Sequence, residues 1–76
     1  MQQLINEITY LANKHGFDGM ATRMTEKHKL TAGKGKDTTL EGIAYGVRFT
    51  IYKGKHNNRN YRKVLHGDGK TVLYSA

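Results

Sequence analysis

The sequence predicts an α+β domain: one N-terminal amphipathic helix packed on a three- or four-stranded antiparallel sheet wound as a meander. Three observations predict it. Apolar residues recur at helical spacing over residues 2–15. They alternate with period two over residues 41–53. An Asp68-Gly69 pair stands between two further apolar runs near the C-terminus, the signature of a tight antiparallel connection. The chain has 76 residues, which reads as a single small basic domain over 1–76. At this size one core buries only about 60% of the unfolded surface.

The helix rests on Leu4, Ile5, Ile8, Leu11 and Ala12, which fall on one stripe, with Gln3, Asn6, Glu7, Thr9, Asn13 and Lys14 on the other side. Gly16 is its expected stop, because glycine takes the left-handed conformation that closes a helix. Lys14 and His15 sit where the helix dipole favours cations. Residues 16–19, Gly-Phe-Asp-Gly, read as a turn. Residues 20–30 suit either a short helix, through Met20 and Met24, or a strand, through the alternation of Met20, Thr22 and Met24. The strand, from Ala21 to Leu30, is the preferred reading. Residues 31–39 are a loop by composition.

Ile43, Tyr45, Val47, Phe49 and Ile51 alternate with Ala44, Gly46, Arg48, Thr50 and Tyr52, so residues 41–53 read as one strand. The first set is expected to face the helix and the second to face outward. Gly42 and Gly46 mark a bend or a close backbone approach. A polar loop, 53–60, leads to a hairpin of Tyr61–His66 and Lys70–Ser75. A one-residue slip there would exchange the faces of Val64, Leu65, Val72 and Leu73. The large apolar residues make a thin core for this length, which together with an open edge at the last strand suggests a homodimer.

The charge carries most of the functional information. Lys and Arg total 13 against 6 Asp and Glu, a formal +7. Residues 1–26 carry Lys14 and Arg23 against Glu7, Asp18 and Glu26, while every other cation lies beyond them. No acidic residue occurs between Gly42 and Gly67. Such concentrated asymmetry is the footprint of a polyanion-binding face. The ordinary alternative is a solubilising surface. The chain has no Cys, which removes disulfides, thiolate nucleophiles and Cys-based zinc sites. No apolar run approaches the ~20 residues that span a bilayer, and the start of the chain lacks the pattern of a signal peptide. A soluble, cytoplasmic protein without membrane contact is expected.

The principal candidate site is the outward face of the central strand with the loop after it: Arg48, Tyr52, Lys53, Lys55, His56, Asn57, Arg59, Arg62 and Lys63. Lys and Arg neutralise phosphates, Tyr can stack on a base, and Asn can bond a base edge. Half-buried rim packing is the structural alternative for Tyr52. Lys34 and Lys36, in Gly33-Lys34-Gly35-Lys36, add a basic loop that can order on a polyanion. The spacing is wrong for a nucleotide-binding P-loop, which needs Gly-x-x-x-x-Gly-Lys-Ser/Thr before a helix. His15, His28, His56 and His66 form no helical metal-ligand pair. No metal or cofactor is expected.

Two functions of different class follow. The first is a non-enzymatic DNA- or RNA-binding protein of low sequence specificity. The second is a small inhibitor or adaptor, of the kind phages and mobile elements encode, whose basic face docks on an acidic patch of a host protein. With so few carboxylates catalysis is not expected. The enzymatic possibility is a small metal-independent ribonuclease using His, Lys and Tyr.

Overall fold

The computed structural model describes residues 1–33, 39–53 and 62–76. Its architecture is α+β: one N-terminal helix, α1 (Gln2–His28), packed on a five-stranded antiparallel meander. The strands are β1 (Thr31–Ala32), β2 (Thr39–Ala44), β3 (Val47–Tyr52), β4 (Lys63–His66) and β5 (Val72–Ser75), in spatial order β1-β2-β3-β4-β5. The count exceeds the expected three or four for two reasons. Thr31–Ala32 adds a short edge strand, and residues 41–53 are a hairpin instead of one strand.

Gly16 does interrupt the helix, with φ 81° and ψ 169°, but the chain resumes the helix at once. Residues 16–19 are therefore a break at one residue, not a turn. The strand expected from Ala21 to Leu30 is wrong: this stretch is helical to His28. Phe17, Met20, Ala21 and Met24 are all buried, and their i, i+3, i+4, i+7 spacing is the helical one. The β-branched Thr22 and Thr25 are accommodated by donating their hydroxyls to the carbonyls of Asp18 (3.1 Å) and Ala21 (2.8 Å) one turn back. The helix ends at Lys29, which adopts the left-handed conformation (φ 57°, ψ 53°), with Lys27 and His28 in the last turn, where the dipole favours cations.

The turn at Tyr45-Gly46 explains the second correction. Both residues have positive φ, 55° and 78°, the pattern of a two-residue type I′ connection. Ala44 pairs with Val47, Gly42 with Phe49 and Leu40 with Ile51, so these six point to one face. A two-residue turn swaps odd for even positions. The expected inward set is therefore right for Val47, Phe49 and Ile51 and inverted before the turn. Ile43 is 54% exposed and Tyr45 43% exposed, whereas Ala44 is buried. Gly42 marks a close approach: a Cβ there would collide with Leu30 Cδ2 and stand 3.6 Å from Leu30 Cα. Without that side chain, the segment leaving the helix lies directly on the sheet.

The hairpin of β4 and β5 forms as expected, with Tyr61 outside the described residues and the second strand starting at Val72. Its connection is fixed by Asp68, whose carboxylate accepts the backbone N–H groups of Lys70 (2.7 Å) and Thr71 (2.9 Å) and the Thr71 hydroxyl (2.8 Å). Val64 pairs with Tyr74 and Leu65 with Val72, so Leu73 is an extra residue bulged inward and buried. Leu4, Ile8, Met20, Met24, Phe49, Ile51 and Val64 are fully buried between helix and sheet. Phe17 stacks on Tyr74 with ring centres 6.1 Å apart, closing the core at β5.

Candidate functional site

One face of the sheet is taken by the helix. Among the described residues, no second layer covers the other. Pairing fixes what that outer face carries. Thr39, Tyr52, Lys63 and Ser75 form a row across β2, β3, β4 and β5 at one end. Glu41, Thr50, Leu65 and Val72 form the next row, and Ile43 and Arg48 the one beyond it. Of the sequence-derived candidates, Arg48, Tyr52 and Lys63 share this face. Arg48 is exposed, and Tyr52 and Lys63 are half-buried.

Lys53 and Arg62 sit one residue beyond Tyr52 and Lys63, at the same end of the sheet but on the opposite side by alternation. Arg62 is exposed, and its carbonyl accepts the N–H of Ala76 at 3.0 Å. Lys34, Lys36, Lys55, His56, Asn57 and Arg59 lie outside the described residues. The residues flanking them do not. The N–H of Gly33 bonds the Thr39 carbonyl at 3.1 Å, and Thr39 pairs with Tyr52, which pairs with Lys63. Both undescribed connections therefore leave and re-enter the fold at this one end.

The sidedness of Arg48 has a local cause. A Cβ at Gly67 would lie 3.1 Å from both Arg48 Cβ and Cδ. The absent side chain lets the aliphatic stem of Arg48 pass over the start of the β4–β5 connection, where the Gly67 N–H also bonds the Arg48 carbonyl at 2.8 Å. At the opposite end Thr39 is buried, in the space a Gly33 side chain would fill, and among the described residues its hydroxyl has no hydrogen-bond partner.

Sequence reasoning missed a second cluster, built around Glu7. Its carboxylate accepts Lys27 Nζ at 2.7 Å and the Tyr45 hydroxyl at 2.9 Å, and it contacts His28 Nε2 at 3.0 Å. His28 also meets the Tyr45 ring edge-on, with centroids 5.5 Å apart. Burial works to raise the Glu7 pKa, but the hydrogen bonds from Lys27, His28 and Tyr45 outweigh it and hold the carboxyl below its ordinary value. With all three donors engaged, the carboxylate is a tie between the two helical halves and the β2–β3 turn. It also explains how Tyr45 tolerates a left-handed backbone, which costs a side-chain-bearing residue about 1–2 kcal/mol. Only a helical reading of residues 20–30 brings Lys27 and His28 back beside Glu7, so the signal was hidden by the strand assignment. A groove beside this tie is lined by Asn6, Tyr10, Leu11, His15, Arg23 and Glu26 among others. Loss of hydration, with the charges of Arg23 and Lys14, keeps the His15 pKa below its usual value.

Among the described residues, no group of three His, Asp or Glu side chains is placed to hold a metal ion. No described helix is long and apolar enough to cross a membrane. Comparison with protein-family models, curated proteins and solved structures finds no match to the chain.

Proposed function

We propose that the protein is a non-enzymatic nucleic-acid-binding domain of low sequence specificity, using the sheet face opposite the helix and the end where the row Thr39, Tyr52, Lys63 and Ser75 lies. One observation carries this reading. The two connections that meet the sheet at that end, together with Lys63 at the start of β4, hold Lys34, Lys36, Lys53, Lys55, Arg59, Arg62 and Lys63 against a single acid, Asp37. That is a net +6 of a chain total of +7. The meander brings the ends of both stretches together, although they are separated in sequence by the β2–β3 hairpin. Charge collected in this way attracts a phosphate backbone and accelerates encounter with it. The features that read bases are few, which supports low specificity.

The test is a titration with duplex DNA, single-stranded DNA and RNA at two salt concentrations. If about six cations meet phosphates, log K falls against log salt with a slope of about −5 on duplex DNA. Affinity then drops roughly a thousandfold between about 50 and 200 mM salt. A salt-independent affinity, or no binding to any of the three, rejects the reading and leaves an acidic protein surface as the partner to seek.

A further inference from the structure

We infer that the protein has a second form, a dimer in which α1 is one unbroken helix and residues 1–15 pack on a second copy of the chain. The monomer places the point of exchange at a single residue. Gly16 is exposed and stands between two helical segments, 2–15 and 17–28, with no loop separating them. The segments fold back on each other, because Glu7 and Lys27, on opposite sides of Gly16, meet at 2.7 Å. The φ of 81° and ψ of 169° at Gly16 lie in a region that is essentially restricted to glycine.

The monomer needs this bend because the two segments carry their apolar stripes on different sides. At ~100° per residue, Leu4, Ile8 and Ala12 would centre roughly 170° away from Phe17, Met20, Ala21 and Met24 on a continuous helix. Folded at Gly16, both stripes reach the same core. Unbroken, the helix presents them to opposite sides, and a single sheet can bury only one. A straight helix of 27 residues also measures ~40 Å at ~1.5 Å per residue, beyond the 32 Å of the molecule's longest dimension. The other stripe then needs a second core, and an identical one is vacated in another copy that has opened in the same way. The contacts of the closed hairpin are remade between copies, Glu7 of each with Lys27, His28 and Tyr45 of the other.

Two glycines hold the balance toward the monomer, for different reasons. A Cβ at Gly16 would meet nothing within 4 Å, so a side chain there costs only through backbone conformation. Gly19 has a helical backbone, but a Cβ on it would stand 2.7 Å from His15 Cβ, which the fold-back brings close. On an unbroken helix, Cβ atoms four residues apart are ~5–6 Å from each other, and that collision vanishes. A side chain at either position therefore disfavours the closed hairpin and leaves the straight helix unhindered, or favours it, since glycine is a poor helix former. This route to a dimer is separate from the open edge of β5 and independent of whether the basic end binds nucleic acid.

The experiment is light scattering after size-exclusion chromatography on the wild type, Gly16→Ala and Gly19→Ala, each refolded from urea at high protein concentration. Physiological ionic strength limits the repulsion between two chains of net +7. The wild type should give mostly monomer, with a dimer that persists on dilution because separating exchanged segments requires unfolding. Relief of the bend at two hinges should raise the dimerisation constant of Gly16→Ala by at least about 30-fold, and Gly19→Ala should shift in the same direction. In a dimer refolded from isotope-labelled and unlabelled chains together, a filtered NOE should connect Glu7 of one copy with His28 of the other. Variants that stay monomeric, a dimer that falls apart at once on dilution, or a Glu7–His28 NOE confined to one chain would each overturn the inference. Should a variant fail to fold, the wild-type dimer and its NOE decide alone, and a wild type that yields no such dimer rejects the exchange.

Discussion

Replacing Glu7 by Ala removes three contacts that join α1 to itself and to the β2–β3 turn. Their worth can be apportioned by exposure. Lys27 is 57% exposed at its side chain, so its 2.7 Å pair with Glu7 is a surface ion pair, screened by water and the smallest of the three contributions. His28 and Glu7 are 12% and 14% exposed, so their contact is shielded from water. The Tyr45 hydroxyl, at 2.9 Å, donates to a charged acceptor. Hydrogen bonds of that kind contribute about 1.5–3 kcal/mol each when intact, less the cost of drying the carboxylate. Glu7→Ala should therefore destabilise the fold by about 2 kcal/mol, which lowers Tm by roughly 8–16 °C in a domain of this size. Urea denaturation followed by circular dichroism measures it. A double-mutant cycle with Tyr45→Phe should return a coupling of about 1 kcal/mol. The pH dependence has a definite sign. The folded carboxyl titrates below its unfolded value, so its stabilisation is complete above the unfolded pKa and is lost as pH falls through the folded one. A Glu7→Ala change within about 0.5 kcal/mol of wild type, together with a coupling of zero, would refute the view that Glu7 ties helix to turn.

Two further outcomes follow from single positions. Gly42→Ala should cost about 1–3 kcal/mol through overpacking against Leu30, and Leu30→Ala should relieve part of that cost, so the two losses measured by urea denaturation should fall short of their sum; strict additivity would mean that Leu30 does not press on Gly42. The hydrogen bonds from the Thr71 and Lys70 backbone and the Thr71 hydroxyl hold the Asp68 carboxyl at about 2 against an ordinary 3.8. The β4–β5 connection should accordingly keep its form as pH falls through the ordinary carboxylate range and loosen only near the lower value, which a carboxyl chemical-shift titration reads directly; a midpoint at the ordinary value would contradict the three bonds.

Much of the fold was legible because it depends on local signals. The helical stripe from Leu4 to Ala12, the break at Gly16 and the Asp68-Gly69 hairpin each follow from a few adjacent residues. The errors share one cause: a short apolar alternation fits two periods. Met20, Thr22 and Met24 alternate like a strand, yet Phe17 and Ala21 complete a helical face only when the helix restarts after Gly16. Ile43 to Ile51 alternate without interruption, and nothing local announces that Tyr45 can take a positive φ. Glu7 and His28, far apart in the chain, help it do so. The candidate interface was legible in part. Strand alternation fixed the outward direction of Arg48 and Tyr52, but the Glu7 cluster needs three distant segments folded together and leaves no contiguous trace.

The charge distribution sets fold stability and ligand affinity in opposition. Six of the seven net positive charges belong to two sequence stretches, 33–38 and 53–63, whose ends meet at one end of the sheet. Gathering them costs free energy through self-repulsion, a cost the unfolded chain reduces by separating the two stretches. Salt screens that repulsion, with a Debye length of about 30 Å at 0.01 M and about 10 Å at 0.1 M. The principal opposing contact among the described residues, Glu7 with Lys27, is exposed on its lysine side and loses little when screened. Tm of the unliganded protein should thus rise as salt is added over this range, while affinity for nucleic acid falls over the same range because each counterion released from the phosphates gains less entropy in a saltier solution. Scanning calorimetry and an anisotropy titration in matched buffers compare the two slopes. A Tm that falls with salt would mean that the cations are compensated within the fold, and a compensated end would have little positive potential left for a phosphate backbone.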